Sequence, residues 1–316
     1  MAQPEGWINR IESDRPRIVN ILPQQGKEPS ITYFEKKRIY LPSEQQEYES
    51  NVLNRQQNTL WLGITGWTKP PKHYSERYGS SEEAKLYERL VGAILAESIL
   101  TLKKEGISVD VRHGASDAGV DAAIINLIEK MGLSGSGVSC PIYMPWVKDD
   151  ARGGPIFVAE SKEKYHEAYS KYTNILLVTG GRDVAFYHDY INRLRGDGAS
   201  IVVDVMQTVS SEVIPGKDKV MPSDPLQLNN AAAYIREKNS FTYTPVVRSF
   251  DELSFITQLT VLHNAYKILG LPENFSVLQG LEHAAINSKN DSRKVPTKAD
   301  LDKRIDSAIS EYSRIK

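Results

Sequence analysis

The sequence predicts an α/β protein: a Rossmann-like parallel sheet with flanking helices, extended by an N-terminal arm and a C-terminal helical appendage. Three observations predict it. Between residues 60 and 206, short and nearly continuous apolar runs alternate with stretches whose apolar residues recur every three or four positions. That alternation is the mark of strands covered on both faces and joined by crossover helices. Glycine directly follows or closely trails three of the runs, and beyond residue 206 the alternation stops.

Taken in order, residues 1–58 read as an irregular arm, mixing short apolar clusters with Pro, Gln and charge. Short strands are expected at 31–34 and 37–41, and a helix or linker over 44–57. Residues 60–65 (LWLGIT) form the first buried strand, and 82–104 its crossover helix, with Leu86, Leu90, Ala93, Ile94, Ile99 and Leu102 as the apolar stripe. The second strand is 107–112 (ISVDVR), followed by a helix over 122–131 closed by Gly132. A third strand is expected at 138–143, leading to Pro145 and Trp146 and a polar loop, KDDARGG. Then come a helix over 160–171, a strand at 174–179 (NILLVT), a helix over 184–194 and a strand at 200–206. The expected division is an arm at 1–58, the Rossmann-like domain at 59–208 and a mainly helical region at 209–316. Helices are expected at 228–237, 250–269 and 298–315. Leu301, Ile305, Ile309 and Tyr312 make a stripe suited to docking the last of them on the parent domain.

At 316 residues the chain exceeds the usual domain of roughly 100 to 200 residues, which fits a core domain with sizeable flanks. Apolar residues at 40% and charged residues at 25% are ordinary for a globular protein, so wholesale disorder is not expected. Thirty-nine Lys and Arg against forty Asp and Glu leave a formal charge of −1, which ranks nucleic acid below small ligands as a partner. The amino terminus lacks the apolar run of a signal peptide, and no apolar stretch reaches the length of a membrane span. The single cysteine, Cys140, excludes an intramolecular disulfide and fits a reducing compartment such as the cytoplasm. It lies in an apolar run and reads as a buried small side chain.

In open parallel sheets, ligands bind at the carboxyl ends of the strands. Three loops share that address: Gly66, Trp67, Thr68 and Lys69 after the first strand; His113, Gly114, Ala115, Ser116, Asp117, Gly119 and Asp121 after the second; and Gly180, Gly181, Arg182 and Asp183 after the strand at 174–179. Glycine there admits a phosphate close to the backbone, and helix amino termini offer it unpaired N–H groups. Trp67 and Tyr74 are candidates to stack on a base, and the Gly-Trp-Thr-Lys stretch lacks the spacing of a triphosphatase phosphate loop.

The stretch carrying Gly114, Ala115, Gly119 and Asp121, with Pro145 and Trp146 after the next strand and Gly180 and Gly181 later, resembles the SLOG superfamily. That superfamily embraces the DNA-processing protein A fold and the lonely-guy nucleotide hydrolases. The resemblance spans residues 60–206 and implies a nucleotide-binding Rossmann-like domain. Two departures stand in the second loop: His113 occupies the place of the family's first glycine, and Ser116 and Asp117 lengthen the turn. In the third loop the hydrolases carry Pro-Gly-Gly-x-Gly-Thr-x-x-Glu, whereas this chain reads Thr179 to Tyr187 as TGGRDVAFY, with Asp183 and Val184 for Gly-Thr and Tyr187 for the glutamate. That phosphoribohydrolase activity is therefore not expected.

The functional expectation is a nucleotide-type ligand held by these loops, in a sensor or sequestering protein, with no further cofactor. The alternative is a hydrolase or transferase acting on the N-glycosidic bond of a nucleoside, with Asp117, Asp121 or Asp183 as acid or nucleophile and Glu160 within possible reach. A third reading is an assembly or single-stranded-DNA-binding protein that keeps the fold, forming a homo-oligomer through arm and tail. His73, His113, His166, His188, His263 and His283 show no metal-ligand spacing, so no metal site is expected. Ser210, Ser211 and Cys140 have no partnered base in a local nucleophile motif. Residues 148–152 are a candidate lid.

Overall fold

A computed structural model describes residues 39–53, 59–66, 81–116, 119–141, 143, 152–180, 183–203, 250–272 and 296–315. The expected helix at 228–237, the strand at 31–34, and Trp67, Thr68, Lys69, Tyr74, Asp117, Gly181 and Arg182 lie outside them.

The alternating runs form seven strands: β1 Ile39–Tyr40, β2 Thr59–Thr65, β3 Ser108–His113, β4 Ser134–Ser139, β5 Ile156–Val158, β6 Ile175–Val178 and β7 Ala199–Val202. They make one sheet in the order β1-β5-β4-β3-β2-β6-β7, every pairing parallel. The helices are α1 Gln45–Tyr48, α2 Ser81–Lys104, α3 Gly119–Met131, α4 Lys162–Lys171, α5 Asp183–Arg195, α6 Phe250–Ile268 and α7 Lys298–Arg314. This is the predicted Rossmann-like α/β architecture.

Why β2 and β6 read as nearly unbroken apolar runs is visible in their two faces. Leu60, Leu62 and Ile64 of β2, with Ile175 and Leu177 of β6, join one core with α2 and α3. Trp61 of β2, with Leu176 and Val178 of β6, joins a second core with α4 and with Tyr48 of α1. Alternate residues of β2 and β6 serve opposite layers, and both layers exclude water, so neither of these strands shows a polar face in the sequence. The helices α6 and α7 extend the first layer: Phe250, Leu253, Leu301 and Ala308 are buried in the same core as α2, with Ile305, Ile309 and Tyr312 packed against it. The stripe predicted for the last helix does dock on the parent domain. Arg304 of α7 adds two hydrogen bonds to the Glu97 carboxylate of α2, at 2.7 and 3.0 Å. Helix α7 is closed by a reciprocal cap, Thr297 N–H to Asp300 and Asp300 N–H to Thr297.

Four strands differ from the sequence expectation. The strand expected at 138–143 is Ser134–Ser139. Its glycines disguise it, and packing requires them: a Cβ on Gly135 would lie 2.3 Å from the carbonyl oxygen of Gly153. Backbone of β4 thus meets backbone of the turn before β5, a place where glycine belongs in a strand. The three-residue β5 was not expected, being too short to show periodicity. The strand β1 lies within 37–41, yet it completes the sheet edge by pairing with β5, so this part of the arm belongs to the sheet. The strand expected at 200–206 has its described part in Ala199–Val202.

Candidate functional site

Strand order sets the address of the site. From β2 the chain steps to β3 and β4 on one side, and β6 and β7 continue on the other, so the connections diverge between neighbouring β2 and β6. Such a divergence opens a crevice at the carboxyl ends. Gly66 follows β2, Gly114 follows β3 and Gly180 follows Thr179 at the end of β6, so the three predicted loops leave three adjacent strands. Asp183 opens α5, and its side chain lies outside the description.

The β2–β3 ladder stops at Gly63 and Arg112. Beyond it the Tyr169 hydroxyl, reaching up from α4, accepts the Ile64 N–H at 3.0 Å and lies 2.6 Å from the Ile64 carbonyl and 3.3 Å from that of Arg112. A side chain thus fills the gap where the strands part. Nearby, Gly66 is a close-packing glycine: an added Cβ would fall 2.2 Å from the Tyr87 hydroxyl and 2.6 Å from Thr179 Oγ1. Those two hydroxyls bond each other at 2.9 Å, and Thr179 Oγ1 donates to the Thr65 carbonyl at 3.1 Å.

The loop after β3 is tied inward. Asp121, in the first turn of α3, turns its carboxylate back to accept the N–H groups of Gly114 at 2.7 Å and Ser116 at 3.3 Å. Ala115 between them holds a left-handed φ of 59°, uncommon for a residue with a side chain. Its N–H donates to His113 Nδ1 at 3.1 Å, so the ring proton sits on Nε2 and donates to the Gly153 carbonyl at 3.2 Å. Gly119, at φ 61°, gives its N–H to the Glu88 carboxylate of α2 at 3.1 Å. Burial raises the Asp121 carboxyl to about 6 despite these amide bonds. The fully buried His113 goes the other way: burial first, with Arg112 adding, brings it down to about 4, so it is neutral near pH 7.

Sequence reasoning missed the polar and aromatic residues beneath the crevice. The Tyr165 hydroxyl of α4 faces Asp121 across Gly114; an added Cβ there would lie 2.8 Å from Asp121 Oδ2 and 3.3 Å from Tyr165 Oη. The spacing of four between Tyr165 and Tyr169 was the available signal, since it puts both on one helix face. Arg112 is fully buried, donating to the Tyr48 hydroxyl at 2.8 Å, Ser136 Oγ at 3.1 Å and the Ala168 carbonyl at 3.0 Å. Its guanidinium lies over Trp61 and Tyr172, with no carboxylate partner among the described residues. An arginine within the expected strand 107–112 was its sequence signal. His188, expected to pack or lie on the surface, is buried and stacks on Tyr169 with ring centroids 4.0 Å apart.

Not every candidate carboxylate gathers here. Glu160 follows β5 and lines a cleft of about 260 Å³ with Gln45, Lys164, Glu167 and Lys171, whose lining does not include Asp121. Of the candidate lid, only Arg152 is described, and it binds Glu129 and Asn126 of α3. Cys140 is buried as expected. Among the described residues no cluster of three or more His, Cys, Asp or Glu is gathered, and no helix is long and apolar enough to cross a membrane. No protein-family model matches the chain, and no curated protein matches it either.

Proposed function

We propose that the chain binds a nucleotide-type ligand in the crevice at the carboxyl ends of β6, β2 and β3. The observation that supports this reading is the divergence of connections between β2 and β6, with Gly66, Gly114 and Gly180 leaving three adjacent strands. The SLOG resemblance points the same way. The test is thermal shift and calorimetry of the full chain against nucleoside mono-, di- and triphosphates, NAD and cyclic dinucleotides. Saturable binding supports a sensor or sequestering protein; a flat response to the whole panel ends the reading.

A second reading, turnover at an N-glycosidic bond, draws on one specific observation. Asp121 is a buried carboxylate raised to about 6 and set beside Tyr165, the environment of a group that carries a proton near neutral pH. Chromatography after incubation with the same panel separates the two. Release of free base, abolished in Asp121→Asn, would make the protein an enzyme.

A further inference from the structure

Two histidines of the packed interior take no part in the crevice. His166 of α4 and His188 of α5 are both buried, and their rings meet edge to face with centroids 5.0 Å apart. The His188 ring also stacks on Tyr169, nearly parallel at 4.0 Å, and lies 5.1 Å from the ring of Tyr165. Neither of its ring nitrogens has a hydrogen-bond partner among the described residues. A leucine or phenylalanine would fill this place without leaving polar atoms unsatisfied, so packing alone does not account for an imidazole here.

The surroundings of the ring also oppose a charge on it. Helix α5 rests on α4 and on β2, β6 and β7, and none of those three strands carries an ionisable side chain. From α4 come His166 and the phenols of Tyr165 and Tyr169, which burial raises further above 10 and keeps neutral. On α5 itself stand Tyr187, against His166, and the buried Asp189, while Arg112 of β3 acts on the ring as a fixed cation. Burial first, then the positive charges of His166 and Arg112, push His188 well below its ordinary 6.5.

The remaining ties between the two helices are unevenly placed. Ser170 Oγ donates to the His188 carbonyl at 3.2 Å, and Arg195, the last residue of α5, donates to the carbonyls of Ser170 and Thr173. The carboxyl end of α5 is thus anchored by a guanidinium, its middle is held by the histidine contact, and its amino end lies three residues past Gly180. We infer that His166 and His188 form an acid-sensitive latch between α4 and α5: while His188 is neutral the helices stay closed, and its protonation favours a state in which α5 parts from α4. The latch stands on the packing of the two helices, whether or not the crevice takes a nucleotide. It puts the start of α5, beside the crevice, under the control of pH.

In the open state the ring takes up its proton near 6.5, and in the closed state it does not. The preference for the closed state is therefore complete above about 6.5 and is lost as pH falls below it, so one imidazole raises the open population about thirtyfold between pH 7.5 and 5. Hydrogen–deuterium exchange of the full chain over that range, read by mass spectrometry and corrected for the intrinsic pH dependence of amide exchange, tests this. Peptides from 183–195 should lose about thirtyfold in protection, while peptides from α2 lose little. His188→Phe, which keeps a ring on Tyr169 and cannot take a proton, should abolish the acid-dependent loss in α5. An equal loss along α2 and α5 overturns the inference, because it reports global unfolding. Unchanged protection of α5 down to pH 5 overturns it as well, and so does an acid-dependent loss that survives in His188→Phe. Should that variant fail to fold, proton NMR of the histidine rings in the natural chain decides. A His188 resonance that titrates together with the loss of α5 protection supports the latch, and one that stays unchanged through that loss overturns it.

Discussion

The hydroxyl of Tyr169 stands in for a strand beside Ile64, accepting its N–H at 3.0 Å and lying 2.6 Å from its carbonyl. Parting strands leave main-chain groups without a ladder partner, and in a buried place these must be satisfied some other way. Tyr169→Phe removes the substitute and keeps the ring packed on His188. Its unfolding free energy should fall by about 1–3 kcal/mol, the cost of orphaned buried groups. Urea unfolding checks this; a change within error would mean that water replaces the phenol.

Gly66 and Tyr87 give a coupled prediction. Gly66→Ala drives a methyl group to 2.2 Å from the Tyr87 hydroxyl and should cost about 1–3 kcal/mol by overpacking. Removing that oxygen with Tyr87→Phe should make the same glycine substitution less costly. A double-mutant cycle therefore yields a favourable coupling of about 1 kcal/mol, whereas strict additivity would show that the two positions do not touch.

The pH dependence of stability contains opposing contributions. His113 drops from 6.5 to about 4, so between these values the unfolded chain binds more protons and stability rises with pH, by up to about 3 kcal/mol. Asp121 rises from 3.8 to about 6, so there the folded chain holds the extra proton and stability falls with increasing pH, by a similar amount. His188, lowered well below 6.5 by burial, adds to the His113 direction. The natural chain should therefore gain stability from pH 4.5 to 6.5. His113→Gln should flatten that gain and Asp121→Asn should steepen it, as read from unfolding midpoints across the range. Equal slopes in the three proteins would refute the assignment.

Arg112 separates the cost of a buried charge from the cost of an orphaned partner. Its guanidinium is offset by hydroxyls, a carbonyl and aromatic faces. Arg112→Met, which fills similar space without charge, should lie within about 1 kcal/mol of the natural chain or above it. Tyr48→Phe keeps the charge and deletes a partner, and should destabilise by about 1–3 kcal/mol. The reverse order in denaturant unfolding would show that the guanidinium stabilises the fold.

Local pattern was enough for the sheet's central strands, their crossover helices and the address of the glycine loops, because apolar period and helix length are written over consecutive residues. It was enough too for the docking of α7, whose stripe had a single apolar face to hide. What tertiary structure alone decided were the matters of partnership. The strand β5 exists through pairing with β1 and β4, since three residues carry no period of their own, and the same pairing gave β1, expected at 37–41, its place at the sheet edge. The glycines of β4 look like loop until the chain at Gly153 is seen to press against them. Most of all, Gly114, Ser116 and Gly119 read as donors awaiting a phosphate, and only the folded chain shows Asp121 and Glu88 already holding them. A backbone N–H bonds whatever acceptor the packed elements bring within about 3 Å, and that choice is made between helices and loops distant from one another along the chain.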